Sequence, residues 1–312
     1  MADDGPTGQS ALVTGGAGFI GSHLTDALVA DNDVTVVDDL SNGRRDRVPD
    51  DATFVEADVA DRDDLSDLMA DADVVFHQAA QVSVDRSVEA PVASHETNVD
   101  ATLALLELAR EHDVRVVLAS SCAVYGQPES VPLSESDLLD PTSPYGLEKL
   151  TVDHYARLYH DLYDLETVAL RYFNVYGPGQ AGGDYSGVIS VFLEKAAAGD
   201  PITVHGDGTQ TRDFVHVEDV VRANLLAATT DHVGEAYNVG TGESISIRDL
   251  AELVLDLTGT DAEIVHTDAR PGDIQHSRAD VSKARERLGY DPTVAFRDGL
   301  DGTADWHRTR RE

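Results

Sequence analysis

Residues 11–28 read ALVTGGAGFIGSHLTDAL, and this stretch decides the fold. The apolar run ALVT at 11–14 predicts a buried strand, and a helical pattern follows Gly21. Gly15, Gly18 and Gly21 form a GxxGxxG motif between them. With 25 glycines in 312 residues the spacing alone is weak, but its place between strand and helix is specific. Backbone amides there can approach a pyrophosphate at the positive end of the helix dipole, which favours a dinucleotide site over a ligand-free turn.

Further β-branched runs alternate with Ala- and Leu-rich helical segments. The runs are VTVV at 34–37, TFVEA at 53–57, DVVFHQA at 73–79 and VRVVLAS at 114–120. This alternation is typical of βαβ units whose parallel sheet is covered by helices on both faces. We therefore predict a Rossmann-type, doubly wound α/β fold.

After about residue 174 the pattern becomes irregular, with clusters of Gly and Pro that predict a smaller α/β region for binding substrate. Residues 214–228 and 236–239 have the pattern of one more helix and strand that return to the main sheet. We therefore expect a discontinuous division. Residues 1–173 and 213–258 would form the dinucleotide-binding domain, and residues 174–212 and 259–312 the substrate-binding domain.

The second strand ends at Asp38, where an acidic side chain can accept hydrogen bonds from the adenosine ribose and repel a 2′-phosphate. This favours NAD over NADP. Arg44 and Arg45 lie nearby and could in principle hold a 2′-phosphate, but a solvated loop explains them more simply. Asp58, which we place at the end of the third strand, is either a contact for the adenine amino group or a turn residue.

A catalytic pair is predicted in the segment SPYGLEK at 143–149. Ser143 can cap a helix with Pro144 in its first turn, which places Tyr145 and Lys149 one turn apart on one face. A phenol is a poor base at neutral pH unless positive charge stabilises the phenolate, and Lys149 together with an oxidised nicotinamide would supply that charge. The alternative is a solvated helix pair, which the scarcity of Lys in this chain makes less attractive.

Ser120 and Ser121 end the fifth strand, at the carboxyl edge where α/β proteins bind ligands. A hydroxyl there could share the substrate proton with Tyr145. We select Ser121 for this role and interpret Ser120 as structural.

The net charge is −35, from 58 acidic residues against 23 Lys and Arg. Concentrated salt screens the resulting self-repulsion, so we interpret the chain as built for a salt-rich cytoplasm, with an ordinary acidic protein as the alternative. The same charge disfavours binding to nucleic acid or to an anionic membrane. Cys122 is the only cysteine, and no apolar run is long enough to span a bilayer, so we expect a cytoplasmic protein.

Eight ordered motifs together resemble the extended short-chain dehydrogenase/reductases of the NAD-dependent epimerase/dehydratase family, in particular UDP-galactose (UDP-glucose) 4-epimerases and their N-acetylhexosamine relatives. The motifs are TGGAGFIGSHL at 14–24, HQAAQVSV at 77–84, SSCAVYG at 120–126, SPYGLEK at 143–149, RYFNVYGP at 171–178, GTQTRDFVHV at 208–217, YNVGTG at 237–242 and RPGDIQHSRAD at 270–280. The likeness extends over nearly the whole chain. It implies NAD as cofactor and a UDP-sugar as substrate.

The resemblance implies a role for each matching residue. The catalytic set would be Ser121, Tyr145 and Lys149. The cofactor contacts would be Gly15, Gly18, Phe19, Ile20, Gly21, Asp38, Asp58, Val59, Ala79, Ala80, Tyr145 and Lys149. Asn174 would contact the diphosphate of the sugar nucleotide, Arg212 and Arg270 would hold phosphate, and Asp273 would hold the ribose. Ser83, Ser121, Tyr145 and Ser277 would complete the substrate site. Without the likeness, Arg212 and Arg270 are equally well explained as structural ion-pair partners.

The resemblance also narrows the reaction. Sugar-nucleotide 4,6-dehydratases carry an Asp-Glu pair directly after the strand-end hydroxyl, and the glucuronate decarboxylases carry a Glu nearby, whereas this chain has Cys122 and Ala123. Neither can replace a carboxylate in acid/base work. We therefore expect C4 epimerisation through a transient 4-keto sugar. The alternatives are a decarboxylase, a dehydratase or a 4-keto reductase on the same fold, or a silent NAD-sensing module.

Two further expectations rest on the resemblance. Strict hexose epimerases often carry a bulky Tyr where this chain has Ser277, so a small residue here could leave room for an N-acetyl group. The helix at 101–109 is apolar nearly all round, and the helix of Tyr145 repeats Tyr155, Tyr159 and Tyr163. Both helices could be buried within the monomer. Relatives pair them between protomers, so we expect a homodimer.

Overall fold

The structure is a computed structural model that describes residues 5–180, 187–270 and 272–309. Its strands are β1 (Ser10–Thr14), β2 (Asp33–Asp38), β3 (Thr53–Glu56), β4 (Val74–His77), β5 (Arg115–Ser121), β6 (Thr167–Tyr172), β7 (Asn174–Tyr176), β8 (Ile202–His205), β9 (Thr211–Arg212), β10 (Phe214–His216), β11 (Glu235–Val239), β12 (Ile245–Ser246) and β13 (Ile264–Thr267). Its helices are α1 (Phe19–Leu28), α2 (Arg62–Ala70), α3 (Val84–Glu89), α4 (Pro91–His95), α5 (Ala101–His112), α6 (Pro144–Tyr163), α7 (Val188–Ala198), α8 (Val217–Thr229), α9 (Ile247–Thr258), α10 (Ser282–Leu288) and α11 (Phe296–Thr309). Arg45–Arg47 and Cys122–Tyr125 form 3-10 turns, and Glu96–Asp100 forms a π-helical turn before α5. None of the described helices is both long and apolar enough to cross a membrane.

Seven strands of the described chain form one parallel sheet in the order β11-β6-β5-β4-β1-β2-β3. The chain runs outward in opposite directions from β1 and β4, so the connections after these strands diverge and leave a crevice at their carboxyl ends. This arrangement confirms the predicted Rossmann-type α/β fold. β3 ends at Glu56. The prediction that Asp58 ends this strand is therefore wrong, because Asp58 lies two residues after it.

Helices cover both faces of the sheet because its strands are apolar on both sides. Within β1, Ala11 and Val13 pack into the core on one face of the sheet, which we call the first core. Leu12 packs into the second core, on the opposite face. This is the period of two expected for a strand. All three side chains are almost fully buried, which explains why the strand reads as a continuous apolar run.

The C-terminal half contributes to two cores. α8 packs on α1, and β11 pairs with β6 at the edge of the main sheet, which confirms the predicted return of the chain. Residues 279–290 also pack into this first core, through the side chains of Ala279, Val281, Ala284, Leu288 and Tyr290. A third core joins α7, α9 and α11.

Because α9 belongs to that third core, we propose one change to the division predicted from sequence. The discontinuous arrangement is kept, but residues 247–258 go to the substrate-binding domain, since Leu250 and Val254 pack beside Phe192 of α7. Residues 279–290 go to the dinucleotide-binding domain.

Candidate active site

The loop between β1 and α1 approaches its neighbours too closely for any side chain. Gly15 has a φ of +70°, and a Cβ atom on it would lie 2.6 Å from the backbone nitrogen of Ala79. A Cβ atom on Gly21 would lie 2.2 Å from the carbonyl oxygen of Gly15. α1 begins at Phe19, directly behind this turn, and no side chain caps its first amides. The loop therefore presents backbone N–H groups and a helix N-terminus to an anion.

Asp38 lies behind the glycine loop and is almost fully buried. Its carboxylate accepts hydrogen bonds from the backbone nitrogens of Ala17, at 3.0 Å, and Leu40, at 2.9 Å. Burial raises the pKa of Asp38, and these two bonds act in the opposite direction. Arg44 pairs with Asp46, as a solvated loop residue would.

One cavity of about 390 Å³ joins the glycine loop to the predicted catalytic residues. Of the predicted residues it is lined by Gly15, Gly18, Phe19, Ile20, Gly21, Ala80, Ser121, Tyr145 and Lys149. The sequence patterns placed these residues at the ends of different elements, and the switch point of the sheet brings them together. Asp58 is exposed, and its carboxylate accepts a hydrogen bond from the backbone nitrogen of Ala60, while Val59 is buried in the second core.

Tyr145 and Lys149, the predicted catalytic pair, lie at the start of α6. Ser143 caps the helix, because its hydroxyl accepts a hydrogen bond from the backbone nitrogen of Gly146 at 3.1 Å, and Pro144 occupies the first turn. The Ser121 hydroxyl accepts a hydrogen bond from the backbone nitrogen of Ala123 at 3.2 Å and lies close enough to the phenol of Tyr145 to lower its pKa. Lys149 donates from Nζ to the carbonyl oxygen of Ala119 at 2.9 Å.

Both side chains are buried, and burial dominates their titration. It raises the pKa of Tyr145 to about 12, although the nearby hydroxyl of Ser121 acts in the opposite direction. It lowers the pKa of Lys149 to about 8, and the charge of Glu148 opposes this effect. In the protein alone, the loss of hydration of the phenolate therefore dominates the pKa of Tyr145, and the lowering predicted from Lys149 is not seen.

The neighbouring Ser120 has a structural contact: its hydroxyl donates to Oδ2 of Asp153 at 3.3 Å. Directly after Ser121, burial raises the pKa of the Cys122 thiol to about 11. The thiol is therefore neutral at neutral pH. No carboxylate stands at the two positions that follow Ser121.

The predicted substrate contacts fall into a second group. The guanidinium of Arg212 lies 2.5 Å from Oδ1 of Asp273, so these two residues, 61 positions apart, form an ion pair. The side-chain amide of Asn174 donates to the backbone oxygen of Asp213 at 2.9 Å. Ser277 is buried beside β9, where its backbone nitrogen donates to the oxygen of Thr211, and Arg270 is exposed.

This second group does not line the 390 Å³ cavity, but Arg212 is close enough to Cys122 for its charge to lower the pKa of the thiol. Arg212 therefore lies near the end of the cavity that Ser121 lines. Ser83 lies elsewhere: its hydroxyl caps α3 by accepting a hydrogen bond from the backbone nitrogen of Arg86 at 3.2 Å.

Several residues of the cavity were not predicted from the sequence: Asn42, Arg47, Gln78, Val82, Ala119, Ser120, Tyr172, Phe173, Val175 and Gln180. A signal existed for three of them at the carboxyl edge of the sheet, because Gln78 directly follows β4, Tyr172 ends β6, and Ser120, which we interpret as structural, stands one residue before the end of β5. The amide of Gln78 donates to Oδ1 of Asn224 at 3.0 Å, and the amide of Asn224 donates to the Tyr172 hydroxyl at 2.8 Å. The loop residues carried no such signal.

Comparisons with known proteins agree on one family. A model of the NAD dependent epimerase/dehydratase family matches residues 11–240. The chain is 41% identical to a putative UDP-glucose 4-epimerase of Methanocaldococcus jannaschii, over 95% of this chain and 97% of the relative. It is 40% identical to the UDP-glucose 4-epimerase of Mycolicibacterium smegmatis, over 96% and 99%. The solved UDP-N-acetylglucosamine 4-epimerase of Methanobrevibacter ruminantium, in complex with UDP-N-acetylmuramic acid, superposes with a TM-score of 0.94 at 38% identity, covering 98% of this chain and all of that one.

Proposed function

The chain belongs to the NAD dependent epimerase/dehydratase family, and on this premise we propose that it is a UDP-hexose 4-epimerase. One observation carries the proposal. Ser121, Tyr145 and Lys149 meet the glycine loop in a single cavity, while the positions after Ser121 hold a neutral thiol and an alanine. Such a site can move a hydride and a proton at one carbon, but it lacks the carboxylates that an elimination requires.

The residues of the glycine loop fit NAD. Side chains are excluded at Gly15 and Gly21, so a pyrophosphate can reach the backbone amides at the start of α1. Asp38 stands at the end of β2, where its carboxylate can accept hydrogen bonds from a ribose. When bound, oxidised NAD supplies a hydride acceptor for C4 of the sugar and a positive charge beside the phenol of Tyr145.

The chain's own groups handle the proton. Tyr145 takes the proton of the C4 hydroxyl and later returns it, with the nearby hydroxyl of Ser121 orienting the exchange. Lys149, held by the carbonyl oxygen of Ala119, favours the phenolate once the site is charged. Between the two transfers the 4-keto sugar must present its other face. We therefore propose that Asn174 and Arg212 hold the diphosphate while the sugar turns, and that Arg270 and Asp273 bind the nucleotide.

The proposal includes a cytoplasmic homodimer that uses α5 and α6. Support comes from α6, on which Leu147, Leu158, Leu162 and Tyr163 are exposed by 46–61% of their surface. An apolar row of this kind is unusual on a monomer and common at an interface. Light scattering in molar KCl should give twice the mass of the chain, and a monomeric mass would contradict this part of the proposal.

The test of the reaction is an NMR assay in molar KCl. The enzyme is incubated without added cofactor with UDP-glucose, UDP-GlcNAc and UDP-glucuronate separately, and the anomeric signals are followed. We expect the C4 epimer to appear, and we expect Tyr145→Phe, which keeps the ring and removes the hydroxyl, to lose about two to four orders of magnitude in kcat. If no epimer forms even with added NAD, or if products have lost CO2, water or hydride, the proposed function is wrong.

A further inference from the structure

Glu148 is a buried carboxylate that the proposed reaction does not use. It lies on α6 between Leu147 and Lys149 and is only 4% exposed. Its Oε2 atom accepts hydrogen bonds from the hydroxyl of Ser94 and from the side-chain amide of Asn98, both at 2.7 Å. Burying a carboxylate costs free energy unless nearby groups favour its charge. A group that is buried this deeply beside a catalytic lysine requires a reason.

The donors to Glu148 are themselves fixed. Asn98 lies in the π-helical turn, and its Oδ1 atom accepts a hydrogen bond from the backbone nitrogen of Gln81 at 2.8 Å, which fixes the orientation of the amide. Its Nδ2 atom donates to the backbone oxygen of Gln81 at 2.9 Å as well as to Glu148. Gln81 is flanked by two residues of the cavity lining, Ala80 and Val82. The carboxylate of the residue that precedes Lys149 is thus fixed in place, near enough for its charge to act on the lysine.

The groups that face Lys149 otherwise offer little negative charge. Its ammonium donates to the neutral carbonyl of Ala119. His77 of β4 also lies near Lys149, and its Nε2 atom is 2.9 Å from the hydroxyl of Thr102. Burial lowers the pKa of His77 to about 3. The Thr102 hydroxyl donates to the oxygen of Asn98, so Nε2 of His77 is the donor to Thr102, and the lowered pKa leaves the ring neutral at neutral pH.

The remaining titratable neighbours are also neutral or already paired. Tyr145 and Cys122 keep their protons at neutral pH, because burial raises the pKa of each. Asp153, one turn further along α6, is paired with Arg171 and Arg157. Among the described groups around Lys149, Glu148 therefore supplies the unpaired negative charge.

We propose that Glu148 is a positioning residue that acts through Lys149, keeping its buried side chain in the ammonium form that the catalytic pair needs. The role of that ammonium rests on the proposed function. The charge relation between the two side chains does not, and it can be measured without substrate or cofactor. The negative charge of Glu148 raises the pKa of Lys149 and also that of Tyr145. Removing it should therefore lower both.

The direct test uses the scarcity of lysine. The chain has three, Lys149, Lys195 and Lys283, so labelling with ¹³Cε-lysine gives three signals, which Lys195→Arg and Lys283→Arg assign. Each signal is followed by NMR from neutral to alkaline pH in molar KCl. In E148Q, which keeps an oxygen acceptor but has no charge, we expect the midpoint of Lys149 to fall by about one pH unit. An unchanged midpoint would overturn the proposal.

Two further variants keep the test decisive. Asp161→Asn removes a charge from the exposed part of the same helix, and the midpoint of Lys149 should not move. If the amide of E148Q opposes the amide of Asn98 and prevents folding, E148A presents no donor there and should give the same downward shift. A shift of equal size in Asp161→Asn would assign the effect to general charge and reject a specific role for Glu148.

Activity provides the second arm. In E148Q we expect both limbs of the pH profile of kcat to move to lower pH, because Tyr145 ionises earlier and Lys149 loses its proton earlier. A merely structural loss would lower kcat without moving the limbs. If the wild-type enzyme epimerises no UDP-sugar while the Lys149 signal still shifts, the proposed function is wrong and the charge relation stands. If the wild type is active and neither measurement shifts, the inference about Glu148 is wrong.

Discussion

The buried ion pair between Arg171 of β6 and Asp153 of α6 ties this helix to the sheet, and breaking it should strongly destabilise the protein. Both side chains are almost completely buried. The carboxylate accepts from Nε of Arg171 at 2.8 Å, from its terminal nitrogen at 3.2 Å and from Nε of Arg157 at 3.0 Å. Asp153→Asn removes the charge and turns one acceptor into a donor, which leaves a buried guanidinium uncompensated. The expected loss is about 3–5 kcal/mol of the free energy of unfolding.

Urea unfolding in molar KCl, followed by circular dichroism, measures this loss. The double variant Asp153→Leu with Arg171→Met removes both charges and should be less destabilised than Asp153→Asn alone. As a matched control, Arg297→Met breaks a pair with Asp256 whose side chains are both about 60% exposed, and it should cost less than about 1 kcal/mol. If Asp153→Asn costs no more than this control, the reasoning is refuted.

The same pair sets a dependence on pH. Burial acts to raise the pKa of Asp153, but Arg171 and Arg157 outweigh it and hold the pKa below its usual value. A depressed carboxyl pKa contributes stability that is fully present above the unfolded-state pKa and is lost as the pH falls through the folded-state pKa. The difference in stability between wild type and Asp153→Asn should therefore shrink in acid. A difference that grows there would contradict this assignment.

Three more predictions concern the cofactor, the substrate and the solvent. Gly21→Ala places a Cβ atom against the oxygen of Gly15, so the purified variant should retain little NAD by absorbance and extraction, and full retention would contradict the tight loop. Ser277→Tyr should lower the rate on UDP-GlcNAc relative to UDP-glucose, and an unchanged ratio would reject Ser277 as a gate. The urea midpoint should rise from dilute to molar KCl, because salt screens a net charge of −35; a midpoint that does not rise would exclude the salt-adapted interpretation.

Local patterns gave the parts of the site that depend on neighbours in sequence. The glycine loop and the Tyr145–Lys149 pair each lie within a few residues at the end of one element, so spacing and helix capping were sufficient. Asp38 was predicted for the same reason, because it ends a strand, and its contact with a cofactor stays a prediction. Asp58 was wrongly predicted to end the third strand, because β3 stops two residues earlier than its apolar pattern suggests.

Features that depend on distant packing were not readable in this way. Glu148 beside Lys149 looks like an ordinary solvated residue of a helix, and it is buried only because α4 and the π-helical turn cover it. Arg212 and Asp273 are far apart in the sequence. The resemblance implied a role for each of them, but it did not identify the ion pair that they form with each other. The assignment of α9 to the third core likewise follows from its apolar contacts with α7, which periodicity along one helix does not identify.

The return of residues 279–290 to the first core has a consequence for synthesis on the ribosome. β1, which precedes the glycine loop, and α6, which carries Tyr145, emerge first, but α8 and β11 keep apolar surface uncovered until Ala284, Leu288 and Tyr290 follow them. From the synthesis of β11 until residues 279–290 follow, a nascent chain therefore exposes part of its apolar core, and such intermediates are prone to aggregate. A stop codon shortly before residue 279 should yield a truncated product that chaperones retain and proteases remove, although every predicted catalytic residue is present in it.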